Sequence, residues 1–153
     1  MIKQCGIDMP ETRLFEIGDK HFFGIKRFDR NNNQRFHIHT LAGLVNADFS
    51  RFDFDYKDFF KVTKQLTKCQ NSVEQTYRQM VFNPLAVNRD DHTKNFSFIM
   101  NSKGEWTVSP AYDMTFNIGV GGEQSMAISG YGKTYRIRFS LNWLSMLNLT
   151  MRL

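Results

Sequence analysis

Eight consecutive polar residues, Asn88-Arg89-Asp90-Asp91-His92-Thr93-Lys94-Asn95, divide an apolar-periodic stretch from a run of Phe and Ile that begins at Phe96. Neither helical nor strand periodicity can give that octet a buried face, so it reads as a loop between the end of a helix and the start of a strand. Two carboxylates, an imidazole, an ammonium group and two amides are costly to leave unsatisfied. Loops that carry such groups on a rigid scaffold are where binding and catalysis concentrate, and a solvated turn is the plain alternative.

The segment downstream of the octet gives it a partner. Phe96–Met100 and Trp106–Val108 flank Asn101-Ser102-Lys103-Gly104, which has the residue types of a hairpin turn. The returning strand, ended by Pro110, brings Asp113 back beside Asn95 and Asp90. Phosphoryl transfer needs such a set. One Asp orients the attacking hydroxyl and takes its proton, while an Asn a few residues on and an Asp beyond a hairpin hold Mg²⁺ against the phosphates.

The rest of the chain supplies the scaffold. Arg13–Ile17 and His21–Arg27, joined by Gly18-Asp19-Lys20, read as a hairpin. Ile38, Leu41, Leu44 and Val45 predict a helix with His37 and His39 at its beginning, and Asp48–Asp55 reads as a loop pinned by its Phe rings. A second helix is predicted over Tyr56–Thr67, burying Phe59, Phe60, Val62 and Leu66. A third runs from Val73 toward Val87, N-capped by Ser72, with Tyr77, Met80, Val81, Leu85 and Val87 inward and Pro84 bending or ending it. Gly119, Gly121 and Gly122 mark a turn, Gln124–Ser129 a further β segment, and Leu141, Leu144, Met146, Leu147 and Leu149 a closing helix. The expected fold class is α+β: a mainly helical domain with an N-terminal hairpin and a second hairpin carrying the site.

Composition narrows the setting. At 153 residues, 41% hydrophobic and 23% charged, the chain suits one globular domain and excludes disorder or a fibrous repeat. Fifteen phenylalanines are mostly spaced as core. A net charge of +5 suits an anionic partner and equally a solvated basic surface. The basic residues are scattered rather than striped, so direct nucleic-acid binding is not expected even though Phe and Tyr can stack on bases. Cys5 and Cys69 form neither a disulfide framework nor a paired metal motif, which fits a reducing cytoplasm. A charged N-terminus and the lack of a long apolar run predict a soluble protein without a membrane span.

Three ordered motifs make a family resemblance specific. Asn88-Arg89-Asp90-Asp91-His92-Thr93-Lys94-Asn95-Phe96-Ser97, then Ser109-Pro110-Ala111-Tyr112-Asp113-Met114, resemble the signature of the HipA-type serine/threonine kinases, toxins of bacterial toxin–antitoxin modules. Upstream, Lys26-Arg27-Phe28-Asp29-Arg30 resembles their hinge strand and Arg35-Phe36-His37 its return into the C-terminal lobe. The likeness spans about Gly6 to Gly130.

The resemblance implies ATP and Mg²⁺ as cofactors, a protein substrate, and a DNA-binding antitoxin as a possible partner. It matches Asp90 to the catalytic base, with His92 and Lys94 completing the catalytic loop, and Asn95 and Asp113 to the Mg²⁺ ligands. His92 is expected to shape the loop through a hydrogen bond, and Lys94 to meet the transferring phosphate or a neighbouring carboxylate. Around the nucleotide, the backbone at Lys26 to Phe28 would meet the adenine edge, Phe28 would stack nearby, and Asp29 would accept from a ribose hydroxyl.

The same family pattern includes a glycine-rich loop and a strand lysine ahead of the hinge, and helices after Leu153. Residues 1–153 are therefore expected to form a partial HipA-like C-terminal domain, inactive or very weak as a kinase alone. The alternative is a catalytically silent remnant that binds an antitoxin or a missing-lobe partner. A metal hydrolase using His37, His39 and His92 with Asp90 and Asp91 is disfavoured, because His37 and His39 do not share one helical face.

Overall fold

The structure is a computed structural model and describes residues 2–46 and 54–133. Thr12–Ile17 (β1) and Lys20–Ile25 (β2) form the N-terminal hairpin, with Ile17 opposite Lys20. That register leaves Gly18-Asp19 as the turn, and Gly18 takes a φ of +59°, which favours glycine. The Lys26 N–H donates to the Glu11 carbonyl and prolongs the ladder by one step. Beyond it, Arg30–Asn31 (β3) pairs with Gln34–Arg35 (β4) in a two-residue ladder.

The middle of the fold is an antiparallel sheet of His37–Thr40 (β5), Ser97–Met100 (β6) and Trp106–Val108 (β7), with β6 central. His37 and His39 therefore lie on a strand, not at the start of a helix. The alternating, β-branched His37-Ile38-His39-Thr40 finds a ladder on β6, which outweighs the helical spacing of Ile38 to Val45. What remains of that helix is one turn, Leu41–Val45 (α1), whose N-cap Thr40 accepts from the Gly43 N–H at 3.1 Å.

Tyr56–Thr67 (α2) starts and ends where its pattern predicts, with Asp55 as N-cap accepting from the Lys57 N–H at 2.8 Å. Gln70–Leu85 (α3) begins ahead of Ser72, with Cys69 at the cap. Ser72 instead lies buried in the first turn and accepts from the Val108 N–H at 3.2 Å, joining α3 to β7. The inward side of α3 is largely polar: Thr76, Gln79 and Asn83 are buried with Val73 and Met80. Leu85, expected inward, is 61% exposed, and Val87 lies past the helix at a φ of +55°. Pro84 sits in the last turn, where the helix stops.

Between α2, α3 and the sheet lies the main core of Leu41, Tyr56, Phe59, Phe60, Val73, Met80, Phe96, Phe98, Met126 and Ile128. Phe59 organises it, with ring centroids 4.7 Å from Phe96 and 6.1 Å from Phe98. Other rings expected as core are not buried. Phe15, Phe22 and Phe23 on the hairpin, and Phe116, remain exposed. The chain finishes its described part with a 3₁₀ turn at Val120–Gly122 and an antiparallel pair, Glu123–Ile128 (β8) and Tyr131–Lys133 (β9). Ala127 of β8 bridges to Asp55 at the start of α2. The predicted closing helix and most of the Asp48–Asp55 loop lie outside the described residues.

Helix and strand contribute comparable lengths among the described residues, so the domain is mixed α and β rather than mainly helical. No described helix is long and apolar enough to cross a membrane.

Candidate functional site

The polar octet runs from the end of α3 to the start of β6 and is held by its backbone. The Arg89 N–H donates to the Asn117 carbonyl at 3.0 Å, and the Arg89 carbonyl accepts from the Ser125 N–H and hydroxyl at 3.1 and 3.0 Å. Thr93–Asn95 closes the loop as a 3₁₀ turn. Inside it, the Asn95 side-chain amide donates to the main-chain carbonyl of Asp90 at 2.8 Å, which fixes the orientation of the amide. The Asp90 carboxylate itself is 47% exposed.

His92 approaches Asp90 only loosely, with Nε2 3.7 Å from Oδ1, beyond hydrogen-bond range. Lys94 is exposed at the side chain, and its carbonyl accepts from the Tyr112 hydroxyl at 2.8 Å. With the Tyr112 proton given to that carbonyl, the Ser97 hydroxyl 2.5 Å away is the donor to Tyr112. Burial pushes the Tyr112 hydroxyl above its ordinary pKa, keeping it a neutral donor. One residue further, Asp113 is exposed and has a φ of +54°, a left-handed conformation uncommon for residues other than glycine.

Tyr112 also reaches the hinge segment. Its ring stacks on Phe28 with centroids 5.8 Å apart and planes inclined by 28°. Beside Phe28, the Asp29 carboxylate is gripped by both arms of Arg27, Nε donating to Oδ1 at 2.7 Å and Nη2 to Oδ2. The hydrogen bond from Arg27 holds the Asp29 carboxyl below its usual range. Lys26 pairs with Glu11 at 3.5 Å.

Two concavities adjoin these residues. One of about 770 Å³ lies between the hairpin residues Thr12, Phe23 and Ile25 and the segment from Tyr112 to Thr115, with Asp113 in its wall. The second, about 450 Å³, is lined by Lys26, Phe28 and Pro110. Lys3, Met9 and Pro10 border both. Of the residues singled out from the sequence, Asp90 and Asn95 are joined directly, and Lys94 and Asp113 are linked through Tyr112. Lys26 and Phe28 lie across that stack, on a different concavity from Asp113, and Asp29 lines neither.

Three contributors went unassigned at the sequence level. Tyr112 is the joint between the loop and the hinge segment. The N-terminal residues form a strap: Ile7 is buried with Phe82 and Ala111, and the Asp8 carbonyl accepts from the Ala111 N–H at 2.8 Å, two residues before Asp113. The third is Asp91, only 1% exposed. Its Oδ2 accepts from the Tyr56 hydroxyl at 2.8 Å and the Gln124 amide at 3.1 Å, and its Oδ1 from the N–H groups of Ser125 and Met126 at 2.8 and 3.3 Å. Burial nevertheless outweighs those donors and raises its pKa to about 6. The adjacent pair Asp90-Asp91 was a usable signal, since consecutive side chains in an extended segment point to opposite sides, so that one can face the core while the other faces solvent.

The chain is 29% identical over 143 residues to a protein of Sinorhizobium fredii named "Putative kinase Y4dM", covering 83% of this chain and 34% of that protein. It is 30% identical over 129 residues to a protein of Haemophilus influenzae named "Putative kinase", covering 74% and 37%. The chain thus spans about a third of the length of these curated relatives. Among solved structures, a chain of the Shewanella oneidensis toxin–antitoxin complex of HipA, HipB and operator DNA superposes with a TM-score of 0.71 at 20% identity, covering 97% of this chain and 41% of that one. The Helicobacter pylori proinflammatory kinase CtkA gives 0.57 at 19% identity, covering 74% and 42%. Residues 1–152 match the family described as the HipA-like C-terminal domain, and the chain belongs to that family.

Proposed function

We propose that this domain is the nucleotide- and metal-holding part of a HipA-like serine/threonine protein kinase, working with ATP and Mg²⁺. The observation that carries the reading is the pair of ties Asn95 Nδ2 to Asp90 O and Tyr112 Oη to Lys94 O. Together they make one hydrogen-bonded unit of the loop holding the proposed base and the segments holding both proposed metal ligands.

The donor chemistry fits Mg²⁺. With its NH₂ engaged by Asp90, Asn95 has its amide oxygen to offer as the ligand atom, and Asp113 offers an exposed carboxylate. Both are hard oxygen donors, and Mg²⁺ takes few protein ligands, completing its shell with phosphate oxygens and water. When bound, Mg²⁺ would neutralise charge on the transferring phosphate. Asp90 would accept the proton of the substrate hydroxyl as that oxygen attacks the γ-phosphorus and the bond to the ADP oxygen breaks. Lys94 would pair with the phosphate, and His92 would lie beside Asp90 without the loop-shaping hydrogen bond expected of it, since Nε2 is 3.7 Å from Asp90 and Nδ1 is buried without a partner among the described residues. At the hinge, with the Lys26 N–H engaged by Glu11, the adenine edge would meet the Lys26 carbonyl and the Phe28 N–H, with the Phe28 ring beside it. Asp29 would share its Arg27-bound carboxylate with a ribose hydroxyl.

Turnover by this chain alone is expected to be very weak, because residues 1–25 hold no glycine-rich run to close over the phosphates. Robust ATP-dependent phosphorylation abolished by Asp90→Ala would contradict that expectation. A fluorescent ATP analogue should bind in Mg²⁺ and be displaced by ATP, and an unaltered signal would count against the nucleotide reading.

A second reading keeps an observation of its own. Leu14, Ile17 and Phe23 leave the hairpin's apolar surface open, which favours docking of another lobe or of a protein partner. The relative solved with HipB and operator DNA makes a DNA-binding antitoxin the partner to test. The two free thiols suit a cytoplasmic setting. A zinc hydrolase finds no group of three His, Cys, Asp or Glu placed to share an ion among the described residues.

A further inference from the structure

Asp90 and Asp91 are neighbours with opposite surroundings: the first faces solvent, and the second is enclosed and accepts four hydrogen bonds. Two of those bonds belong to a closed ring. The Tyr56 hydroxyl donates to Asp91 and accepts from the Asn83 amide at 2.8 Å, and the Asn83 oxygen accepts from the Asn88 amide at 3.0 Å. Gln124 completes it, its amide shared between Asp91 Oδ2 and the Asn88 carbonyl, the latter at 3.2 Å. All five side chains are buried, and they come from the start of α2, the last turn of α3, the loop and β8.

Hydrophobic residues of similar shape would hold α2 and α3 together at least as well as such a network, since every buried polar group has first to be stripped of water. What the ring specifies is position. It grips the loop at Asn88 and Asp91, while Asn117 and Ser125 grip Arg89 between them. With Asp91 turned inward and its neighbours held, the Asp90 side chain points outward and its carbonyl meets the Asn95 amide.

We propose that Asp91 is a positioning residue for the Mg²⁺-nucleotide site, holding Asp90 and, through the Asp90 carbonyl, the Asn95 ligand in place by way of the buried ring with Tyr56, Asn83, Asn88 and Gln124. This rests on the phosphoryl-transfer reading. Its substitution pattern comes from the donor chemistry. All four groups facing Asp91 are donors, so an Asn there sets an NH₂ against an N–H or O–H in either orientation. Tyr56→Phe is milder, releasing Asp91 from one donor while keeping the aromatic packing.

The test is calorimetric titration of the full chain with ATP, with and without Mg²⁺, for the parent, Asp91→Asn, Tyr56→Phe and the core control Val73→Ala. The quantity read is the ratio of the two affinities, which general loss of stability does not change as long as the protein is folded at the working temperature. Asp91→Asn should lower that ratio about tenfold or more, by analogy with the 10- to 100-fold losses that accompany removal of groups supporting metal ligands. Tyr56→Phe should lower it by less, Val73→Ala should leave it unchanged, and affinity for Mg²⁺-free ATP should stay within about twofold. Should Asp91→Asn fail to fold, Tyr56→Phe decides. Parent-like ratios in the ring variants would overturn the positioning role and leave the nucleotide reading standing. A parent without any Mg²⁺-dependent gain would overturn the nucleotide reading, and this inference with it.

Discussion

The Asn95 side-chain amide donates to the main-chain carbonyl of Asp90 at 2.8 Å, so the proposed metal ligand and the proposed base move as one unit. The contact separates substitutions that look alike. Asn95→Ala should lower unfolding free energy by about 1 kcal/mol, the worth of an ordinary hydrogen bond. Asn95→Asp should lower it further, because a carboxylate oxygen is then held against a carbonyl. Urea unfolding of the three proteins checks the order.

Packing makes a prediction independent of function. Phe59 is fully buried and touches both Phe96 and Phe98 across the α2–sheet interface. Phe59→Ala should cost about 3–5 kcal/mol, combining lost burial with the cavity left behind. The exposed Phe23→Ala should change the stability of this chain by about 0.5 kcal/mol or less.

The raised pKa of Asp91, about 6, predicts a pH dependence opposite to that of an ion-paired carboxylate. In the folded state the group holds its proton more tightly than the unfolded chain does, so its contribution is full below about pH 4 and is lost as pH rises through about 6. The stability difference between the parent and Asp91→Asn should therefore shrink between pH 4 and pH 7, by on the order of 2–3 kcal/mol. Carbon-detected NMR of the Asp91 carboxyl should show the same midpoint. A midpoint near 4 would mean that the four donors prevail over burial.

The octet's place between α3 and β6 and the hairpin after it were legible in the sequence, because turn chemistry and a change of period are local signals. The N-terminal hairpin itself and the bounds of α2 are local too, although the hairpin turn takes two residues, Gly18-Asp19, where the sequence suggested three, because Lys20 pairs with Ile17. The His37–Thr40 strand was missed because its ladder partner lies far along the chain at Ser97–Met100, and local spacing there favoured a helix. The inward side of α3 was misread because Thr76, Gln79 and Asn83 count as polar by composition. They are buried because the hydroxyls of Thr63, Tyr56 and the Asn88 amide come from elsewhere to meet some of them. Phe15, Phe22 and Phe23 have core chemistry, but periodicity cannot say what would cover them.

A glycine fixes the segment beyond Asp113. Gly119 has a φ of +69°, and a Cβ there would sit 2.3 Å from the Glu123 carbonyl oxygen and 2.8 Å from the Arg89 Cβ. Gly119→Ala should push residues 117–119 off the Arg89 backbone and lower stability by about 1–3 kcal/mol. Hydrogen exchange should show the loss first at the Arg89 and Asn117 amides, which form the bridge between the two segments. Gly104→Ala, where a Cβ would meet nothing within 4 Å, is the control for left-handed backbone strain without a clash.

The central claim is that Asn95 and Asp113 form an Mg²⁺-dependent nucleotide site, and a thermal shift assay tests it most directly. ATP with Mg²⁺ should raise the melting temperature of the chain well above ATP with EDTA, and Asp113→Ala should remove most of that gain. An equal melting temperature with and without Mg²⁺-ATP, or a larger, chelator-sensitive rise with Zn²⁺ alone, would contradict it.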